Sequence, residues 1–268
     1  MIEYRDVHKR FDVPVLAGVN LEVHEGETLS LVGTSGTGKS VLLKTTIGLI
    51  VPDRGDVKID GESIYSERPG ALQEIRSKVR YVFQYAALFD SLNVYENVVM
   101  GIPEDRAREL GREEVLRRIV RSLEDVNLDP DIVLAKLPAE LSGGMRKRVG
   151  LARAIVSEPR IILYDEPVTG LDPVNAATVN RLIMSIAERT KVTSVVVTHD
   201  IEGALEMSDR VALLDHGKLR FVGTPDEFRQ SDDPLVQAFA DRQAAAEAAL
   251  RLLEAENEKD EDADGALA

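Results

Sequence analysis

Cysteine is absent from this chain of 268 residues, and so is any long hydrophobic run. Without cysteine, neither a disulfide nor a thiolate metal site can form, which suits a reducing compartment such as the cytoplasm. The apolar stretch from Val41 to Val51 is broken by Lys44 and Gly48, and a membrane-spanning helix needs roughly 18 apolar residues. The first residues lack the basic and apolar segments of a secretory signal. Any membrane role is therefore expected to depend on a partner.

Positive charge is also scarce, since 47 acidic residues outnumber 33 basic ones and the formal net charge is −14. Sequence-independent binding of nucleic acid relies on Lys and Arg to neutralise phosphates, so we expect no nucleic-acid partner. Residues 241–268 form a tail with nine acidic and three basic residues. The tail begins with helix-favouring Ala, Leu, Glu and Arg and then turns acidic. Either it is solvated, or residues 244–253 pack on a neighbouring subunit as a short helix.

The spacing of apolar residues predicts an α/β fold with a mostly parallel sheet, because apolar strands alternate with amphipathic helices in the second half of the chain. Pro52 to Gly55 is predicted to be a turn. The predicted strands are Ile2–Tyr4, Leu21–Val23, Thr28–Val32, Val57–Glu62, Tyr81–Phe83, Ile161–Tyr164, Ser194–Thr198 and Arg210–Leu214. The predicted helices are Lys39–Ile50, Met145–Val156 and Asn175–Arg189, with a further helical pattern between Pro103 and Asp129.

Residues 33–40 match the phosphate-loop pattern G-x-x-x-x-G-K-[ST] between a predicted strand and a predicted helix. Glycines in such a loop let successive backbone N–H groups turn toward phosphate oxygens, and the helix N-terminus adds its dipole. Lys39 would reach the β- and γ-phosphates, and the Ser40 hydroxyl would bind Mg²⁺. The predicted nucleotide-binding residues are Gly33, Thr34, Ser35, Gly36, Thr37, Gly38, Lys39 and Ser40.

Two acidic residues and a histidine follow apolar strands later in the chain. Asp165 and Glu166 end the run that starts at Ile161, and His199 follows Ser194–Thr198. Ligands bind at the carboxyl ends of parallel strands, so these side chains are expected beside the phosphate loop. Asp165 would hold Mg²⁺ through water, and Glu166 would orient or deprotonate the water that attacks the γ-phosphate. His199 would contact that phosphate and hold the water.

These motifs occur in a recognisable order. The phosphate loop, Gln84, Leu141-Ser142-Gly143-Gly144, Asp165-Glu166, Gly170-Leu171-Asp172-Pro173 and His199 resemble the ATP-binding subunits of ABC transporters over about residues 1–230. The resemblance implies a P-loop NTPase fold of the ABC ATPase type. Its parts would be a RecA-like, mostly parallel sheet, an N-terminal antiparallel β subdomain and an inserted α-helical subdomain. We expect one domain over residues 1–240, with the helical subdomain at about 85–158.

The resemblance also implies how ATP is bound and hydrolysed. Two copies would form a head-to-tail homodimer, with ATP between the phosphate loop of one and the signature of the other. The signature residues that would contact the partner's ATP are Leu141, Ser142, Gly143, Gly144 and Met145. Gln84 would sense the metal and the attacking water, Phe11 would stack on adenine, and Asp172 would lie at the dimer seam. Lys39, Gln84, Glu166 and His199 would be the catalytic residues, and Ser40, Gln84 and Asp165 the metal ligands.

Three segments narrow the resemblance to the ATPase of Mla/MCE-type lipid transporters: Tyr85 to Leu92, Met145 to Ala154, and Tyr164 to Pro167. This implies phospholipid or other lipid traffic between membranes, from the cytoplasmic face of the inner membrane. The implied partners are an integral membrane permease, an MCE-domain protein and a STAS-domain subunit. Val168 stands where Thr is usual, and we expect little effect of that change on activity.

Two further interpretations concern the surface. Ala86, Ala87, Leu88 and Phe89 are predicted to form the groove that receives a permease helix. The basic triplet Arg146-Lys147-Arg148 is interpreted as a solvated helix face rather than a phosphate or lipid contact. Two other functions remain open, namely the ATPase of an amino-acid or ion importer and a soluble ABC protein acting on the ribosome or DNA. The second lacks support, because residues 84–141 are too few for a long coiled-coil arm.

Overall fold

The computed structural model describes residues 1–241, so the predictions for the acidic tail lie outside the described residues. The core is a six-stranded sheet built from β3 (Thr28–Val32), β6 (Val79–Val82), β7 (Ile161–Asp165), β8 (Thr193–Val197), β9 (Arg210–Asp215) and β10 (Lys218–Gly223). The strand order is β10-β9-β3-β8-β7-β6, and all neighbours are parallel except β10 and β9. Every residue of β3, β7 and β8 is buried, as expected for parallel strands covered on both faces.

A second, antiparallel sheet lies at the N-terminus. It contains β1 (Ile2–Arg10), β2 (Pro14–Val23), β4 (Arg54–Ile59) and β5 (Glu62–Ser63) in the order β2-β1-β4-β5. One face carries Ile2, Tyr4, Val19 and Val57, which join a core cluster with β3 and the helix after it. The prediction of a parallel core with an antiparallel β subdomain is therefore confirmed.

Nine α-helices have both ends within residues 1–241. Three flank the sheets at α1 (Lys39–Thr45), α2 (Ala71–Lys78) and α7 (Pro173–Thr190), and two come after later strands at α8 (Ile201–Met207) and α9 (Pro225–Arg229). The other four lie between β6 and β7 and form the helical insertion, which is α3 (Val94–Val99), α4 (Glu104–Glu124), α5 (Pro130–Val133) and α6 (Gly143–Ile155). Its apolar residues, such as Ile119, Leu123 and Val149, are buried in a cluster that also includes Ile183 of α7.

Several predicted bounds are wrong. The helix predicted to reach Ile50 ends at Thr45, because Gly48 takes a left-handed φ of 66° and the Tyr65 hydroxyl donates to the carbonyls of Thr45 and Ile50. Arg54 and Gly55 belong to strand β4 and not to a turn, since β4 pairs with β1 as far as Arg54.

Other strands are longer or shifted. β1 and β2 extend well beyond Ile2–Tyr4 and Leu21–Val23, and β6 begins at Val79 and ends before Phe83. Long antiparallel pairing between β1 and β2 explains the extension, because each strand satisfies the backbone groups of the other despite many polar residues. None of the helices in residues 1–241 is both long and apolar enough to cross a bilayer.

Candidate nucleotide site

Three strands bring the predicted catalytic residues to one edge of the sheet. β3 and β8 are paired so that Leu31 lies opposite Val197, and β7 and β8 so that Asp165 lies opposite Val197. The three strands therefore end at the same level. The phosphate loop follows β3, Glu166 follows β7 and His199 follows β8, so all three meet at the carboxyl edge where parallel sheets bind ligands.

The phosphate loop depends on glycine at its two ends. Gly33 has a φ of 148°, and a Cβ there would lie 2.3 Å from the Leu214 carbonyl oxygen. Gly38 has a φ of 102°, and a Cβ there would lie 2.8 Å from the Val15 carbonyl oxygen. Neither position can accept a side chain without moving backbone, so the loop's shape requires both glycines.

Lys39 folds back on this loop. Its Nζ donates hydrogen bonds to the Gly33 carbonyl oxygen at 2.7 Å and the Thr34 carbonyl oxygen at 2.9 Å. Burial lowers the pKa of the Lys39 ammonium, and the negative charges of Glu166 and Asp165 oppose that shift. The side chain is thus a desolvated cation held at the loop, which is the group that phosphate oxygens attract.

Both carboxylate oxygens of Asp165 accept a hydrogen bond. The Ser40 hydroxyl donates to Oδ1 at 2.6 Å, and the Tyr81 hydroxyl donates to Oδ2 at 2.6 Å. Burial, with the hydrogen bond to Asp165, raises the pKa of Tyr81 far above its ordinary value, so the hydroxyl keeps its proton. Sequence reasoning missed Tyr81, because its partner is 84 positions away and only sheet pairing brings the two together.

Glu166 is fixed by backbone and side-chain contacts. It has a left-handed φ of 51°, and its N–H donates to the Val197 carbonyl oxygen at 2.9 Å. Its Oε2 accepts from the Thr169 hydroxyl at 3.0 Å and lies 2.7 Å from Nδ1 of His199. Thr169 is a second residue of the site that the sequence did not predict. The carboxylate and the imidazole thus form a pair at the sheet edge.

One open cavity of about 490 Å³ is lined by Lys39, Ser40, Glu166 and His199, whereas Asp165 contacts Ser40 without lining the cavity. Phe11 stands at this cavity, 54% exposed, with the Lys9 ammonium 5.4 Å from its ring centre. An exposed aromatic ring beside a phosphate loop offers a stacking surface for a planar base. Predicted residues that line the cavity are Phe11, Ser35, Gly36, Gly38, Lys39, Ser40, Gln84, Glu166 and His199, joined by Val15, Val41 and Thr169, which were not predicted.

The signature segment begins helix α6 and does not line this cavity, which is formed by other parts of residues 1–241. Ser142 is the N-cap, and its hydroxyl accepts from the Met145 N–H at 3.2 Å. Ser142 and Gly143 are exposed, whereas Leu141 is buried. A Cβ at Gly144 would lie 2.6 Å from Asn175 Oδ1, so this glycine permits close packing of α6 on α7.

Asp172 caps α7 beside that contact. Its carboxylate accepts from the Asn175 N–H at 3.0 Å and from Asn175 Nδ2 at 2.6 Å, and these hydrogen bonds hold the pKa of Asp172 below its usual value. Asn175 therefore connects the predicted seam residue with Gly144 of the signature. No sequence motif pointed to Asn175.

The interpretation of the basic triplet as a solvated face is wrong for Lys147, whereas Arg146 is exposed and Arg148 is half-buried. Lys147 is buried, and its Nζ donates to the carbonyl oxygen of Gln84. Arg148 donates to the Asn127 carbonyl oxygen at 2.6 Å, and Arg146 donates to that of Leu141 at 2.6 Å. Each cation satisfies a loop carbonyl, which a solvated helix face would leave to water.

The predicted groove also needs correction. Ala86 is 3% exposed and Leu88 packs against the helical core, so neither side chain lines a groove. Ala86 and Ala87 have φ values of 59° and 45°, and Arg153 donates to the carbonyl oxygens of both. An open groove of about 420 Å³ does exist, lined by Ala87 and Phe89 together with Tyr81, Phe83, Met100 and Arg153 among others.

Residues 16–169 match the protein family described as ABC transporter, which is more than half of the chain. The chain belongs to the ABC transporter family. It is an ATP-binding subunit of an ABC transporter and, like its relatives, an ATPase. Cassettes of this family dimerise and work with membrane permeases.

Curated relatives of this ABC subunit carry different substrate names. The probable ribonucleotide transport ATP-binding protein mkl of Mycobacterium leprae is 41% identical over 89% of the chain and 68% of that protein. The sulfate/thiosulfate import ATP-binding protein CysA of Caulobacter vibrioides is 37% identical over 87% of the chain and 67% of that protein. The chloroplastic protein TRIGALACTOSYLDIACYLGLYCEROL 3 of Arabidopsis thaliana is 39% identical over 90% of the chain and 73% of that protein. The chain thus spans about two thirds to three quarters of each.

Among solved structures, the dimeric bacterial ABC transporter cassette MJ0796 superposes with a TM-score of 0.77. It is 32% identical, and the match covers 84% of this chain and 99% of that one. The agreement extends over most of the described residues and supports the fold assignment.

Proposed function

We propose that two copies of this chain meet head to tail and enclose ATP between them. The observation that carries the proposal is that the residues expected to contact ATP lie in two separate places on the chain. Phe11, Lys39 and Glu166 share one cavity, while the predicted phosphate contacts Ser142 and Gly143 are exposed outside it. A second copy that presents its α6 N-terminus would complete the cavity, because that N-terminus offers N–H groups to an anion.

In this proposal the phosphate-loop half binds the nucleotide and Mg²⁺. Lys39 contacts the β- and γ-phosphates, and Phe11 stacks on adenine. The Ser40 hydroxyl and the Asp165 carboxylate place two oxygen atoms 2.6 Å apart, which suits Mg²⁺, a cation that takes few protein ligands beside phosphate and water. Bound Mg²⁺ would neutralise charge on the phosphates, and Gln84 of the same cavity would sense it.

Glu166 orients or deprotonates the attacking water, and His199 holds the water and the γ-phosphate. The Glu166–His199 contact of 2.7 Å supports these roles, because one carboxylate oxygen is already held by Thr169 and His199 while the other is left for water. Asp172, beside α6 and α7, would lie at the seam between the two copies.

A mixing experiment tests the head-to-tail arrangement. Lys39→Ala destroys the phosphate-loop half, and Ser142→Arg blocks the signature half, so each variant alone is expected to lose nearly all ATPase activity. A mixture forms dimers with one intact site and is expected to recover a substantial part of it. Lys218→Ala, an exposed lysine on β10, is the matched control and should remain active. If the mixture is as inactive as its components, the shared site is wrong.

We propose further that hydrolysis drives lipid transport. Support comes from the segments that resemble Mla/MCE-type ATPases and from the lipid in the name of the Arabidopsis relative. The partners would be a permease, an MCE-domain protein and a STAS-domain subunit, with this chain at the cytoplasmic face of the inner membrane. Lipid analysis of membranes that lack the chain, restored with the wild type or with Lys39→Ala, tests this. Unchanged lipids in all three would contradict lipid transport.

A second candidate is the import of a small anion, which the 37% identity with the sulfate/thiosulfate protein favours. The ATP-binding residues cannot separate the two, because both functions use the same hydrolysis. Purification of the chain from detergent-solubilised membranes, with identification of the proteins bound to it, would separate the two functions. An MCE-domain protein among its companions supports lipid transport, and a solute-binding protein supports anion import.

The groove beside Gln84 is proposed to receive a permease helix. Its apolar residues Phe83, Phe89 and Met100 are 38%, 50% and 52% exposed, so an apolar partner would cover them. Phe89→Asp is expected to abolish transport while leaving ATP affinity unchanged. Leu116→Asp, at a position 45% exposed on α4, is the control and should transport normally. Wild-type transport by Phe89→Asp would refute the groove assignment.

A further inference from the structure

Tyr81 stands between the groove and the nucleotide cavity. It lies on β6, one residue before that strand ends, and its side chain is one wall of the groove. Its hydroxyl donates to Oδ2 of Asp165 at 2.6 Å. A single side chain therefore contacts both the proposed permease groove and the proposed metal ligand.

The Asp165 carboxylate is almost fully enclosed. The residue is 6% exposed, and its other oxygen, Oδ1, accepts from Ser40 at 2.6 Å. Ser40 must release that contact if its hydroxyl is to bind a metal ion. The Tyr81 hydroxyl would then be the remaining side-chain donor that orients Asp165, and a carboxylate fixed by a neighbouring donor binds metal better than a freely turning one.

On the groove side, Tyr81 is in contact with Phe83. Their ring centres are 4.5 Å apart and their planes are tilted by 46°. Phe83 is 38% exposed and also lines the groove. A helix that enters the groove would press on the Phe83 ring, and the Phe83 ring cannot move far without moving that of Tyr81 because packed rings interlock.

We propose that Tyr81 is a positioning residue that orients Asp165 toward the metal and makes that orientation respond to occupation of the groove. The proposal rests on the proposed function, in which Asp165 binds Mg²⁺ and the groove holds a permease helix. Phe83 acts on Tyr81 through ring packing, and Tyr81 acts on Asp165 through one hydrogen bond. The metal site and the groove are coupled in both directions, since such coupling is reciprocal.

Removal of the hydroxyl tests the first step. Tyr81→Phe is made in the Glu166→Gln background, where turnover is suppressed, and binding of a fluorescent ATP analogue is titrated against Mg²⁺. The half-saturating Mg²⁺ concentration is expected to rise by about 10-fold, the lower end for loss of a group that orients a metal ligand. Tyr95→Phe on α3 is the control and should not change it. Tyr81→Met removes the same hydroxyl and is the second variant in case Tyr81→Phe folds poorly. The same rise in the half-saturating Mg²⁺ concentration is expected for it. A change of less than about twofold in both would overturn the proposal.

A double-mutant cycle tests the second step. Phe83→Ala is expected to change the half-saturating Mg²⁺ concentration when Tyr81 is present and to have no further effect in the Tyr81→Phe protein, because residues in one network are not additive. Phe89→Ala, which lines the same groove, should be additive with Tyr81→Phe. Additive effects of Phe83→Ala would refute transmission through Tyr81.

Asp165→Asn separates failure of this inference from failure of the proposed function. If Asp165→Asn leaves the Mg²⁺ dependence unchanged, the metal assignment itself is wrong, and the inference falls with it. If Asp165→Asn weakens Mg²⁺ binding but Tyr81→Phe and Tyr81→Met do not, only the inference is wrong.

Discussion

At the edge of the six-stranded sheet the functional residues are placed by strand pairing, whereas in the helical insertion loop segments are placed by side chains that bond to backbone. Asp165, Glu166 and His199 lie at the ends of strands whose register is fixed by fully buried β-branched and aliphatic residues. In the insertion, Lys147 holds the carbonyl of Gln84, and Arg153 holds the carbonyls of the two alanines at positions 86 and 87.

Asn97 acts in the same way on the segment that carries Phe89. Its fully buried amide accepts from the Phe89 N–H and donates to the carbonyls of Phe89 and Leu92. The two regions are therefore held by different kinds of contact, namely strand register at the sheet edge and hydrogen bonds from side chain to backbone in the insertion.

Glu166→Gln should have the largest effect and change the chemistry alone. Loss of the proposed base is expected to slow ATP hydrolysis by roughly 10²- to 10⁴-fold, since general bases contribute about that much. The amide oxygen can still accept from Thr169, so the thermal midpoint should stay near that of the wild type. Steady-state ATPase assays and gel filtration with ATP measure turnover and the expected trapped dimer. Glu113→Gln, at an exposed acidic residue on α4, is the control and should hydrolyse ATP at the wild-type rate. Unchanged turnover in Glu166→Gln would show that Glu166 is not the base.

In contrast to Glu166→Gln, Asn97→Ala should lower the stability of the fold more than it changes the rate of ATP hydrolysis. It removes the acceptor of the Phe89 N–H and a donor to the Leu92 carbonyl, at a cost of about 2–4 kcal/mol in the free energy of unfolding. Urea denaturation followed by circular dichroism measures it. Asn20→Ala, at an exposed position, should cost far less. Equal losses in the two variants would mean that Asn97 does not hold the groove segment.

Val168→Thr should have the smallest effect, at the junction of the two regions. Val168 is 7% exposed and belongs to the core cluster of the insertion, so a hydroxyl there is expected to cost about 1 kcal/mol. ATPase activity should stay within about twofold of the wild type, as a thermal melt and a turnover assay would establish. A large gain in ATPase activity would contradict this expectation and would show that valine at position 168 lowers the rate of hydrolysis.

The residues at the sheet edge could be predicted from the sequence because their signals are local. An apolar β-branched run that ends in an acid or a histidine marks a buried strand with a polar residue at its carboxyl end, and the phosphate loop is contiguous. The short helices α2, α3, α5, α8 and α9 were not predicted, because each is about two turns or less and too brief for a helical period to emerge. The predicted strand bounds were wrong where polar strands pair with each other.

By itself the sequence determined the family, the phosphate loop and the residues that end the core strands, because these depend on contiguous motifs and on apolar periodicity. Only the tertiary structure decided that Lys147 is buried against Gln84, that Ala86 leaves the groove wall, and that Tyr81 reaches Asp165. Those contacts join positions far apart in the chain. They arise from sheet order and helix packing, which no local pattern encodes.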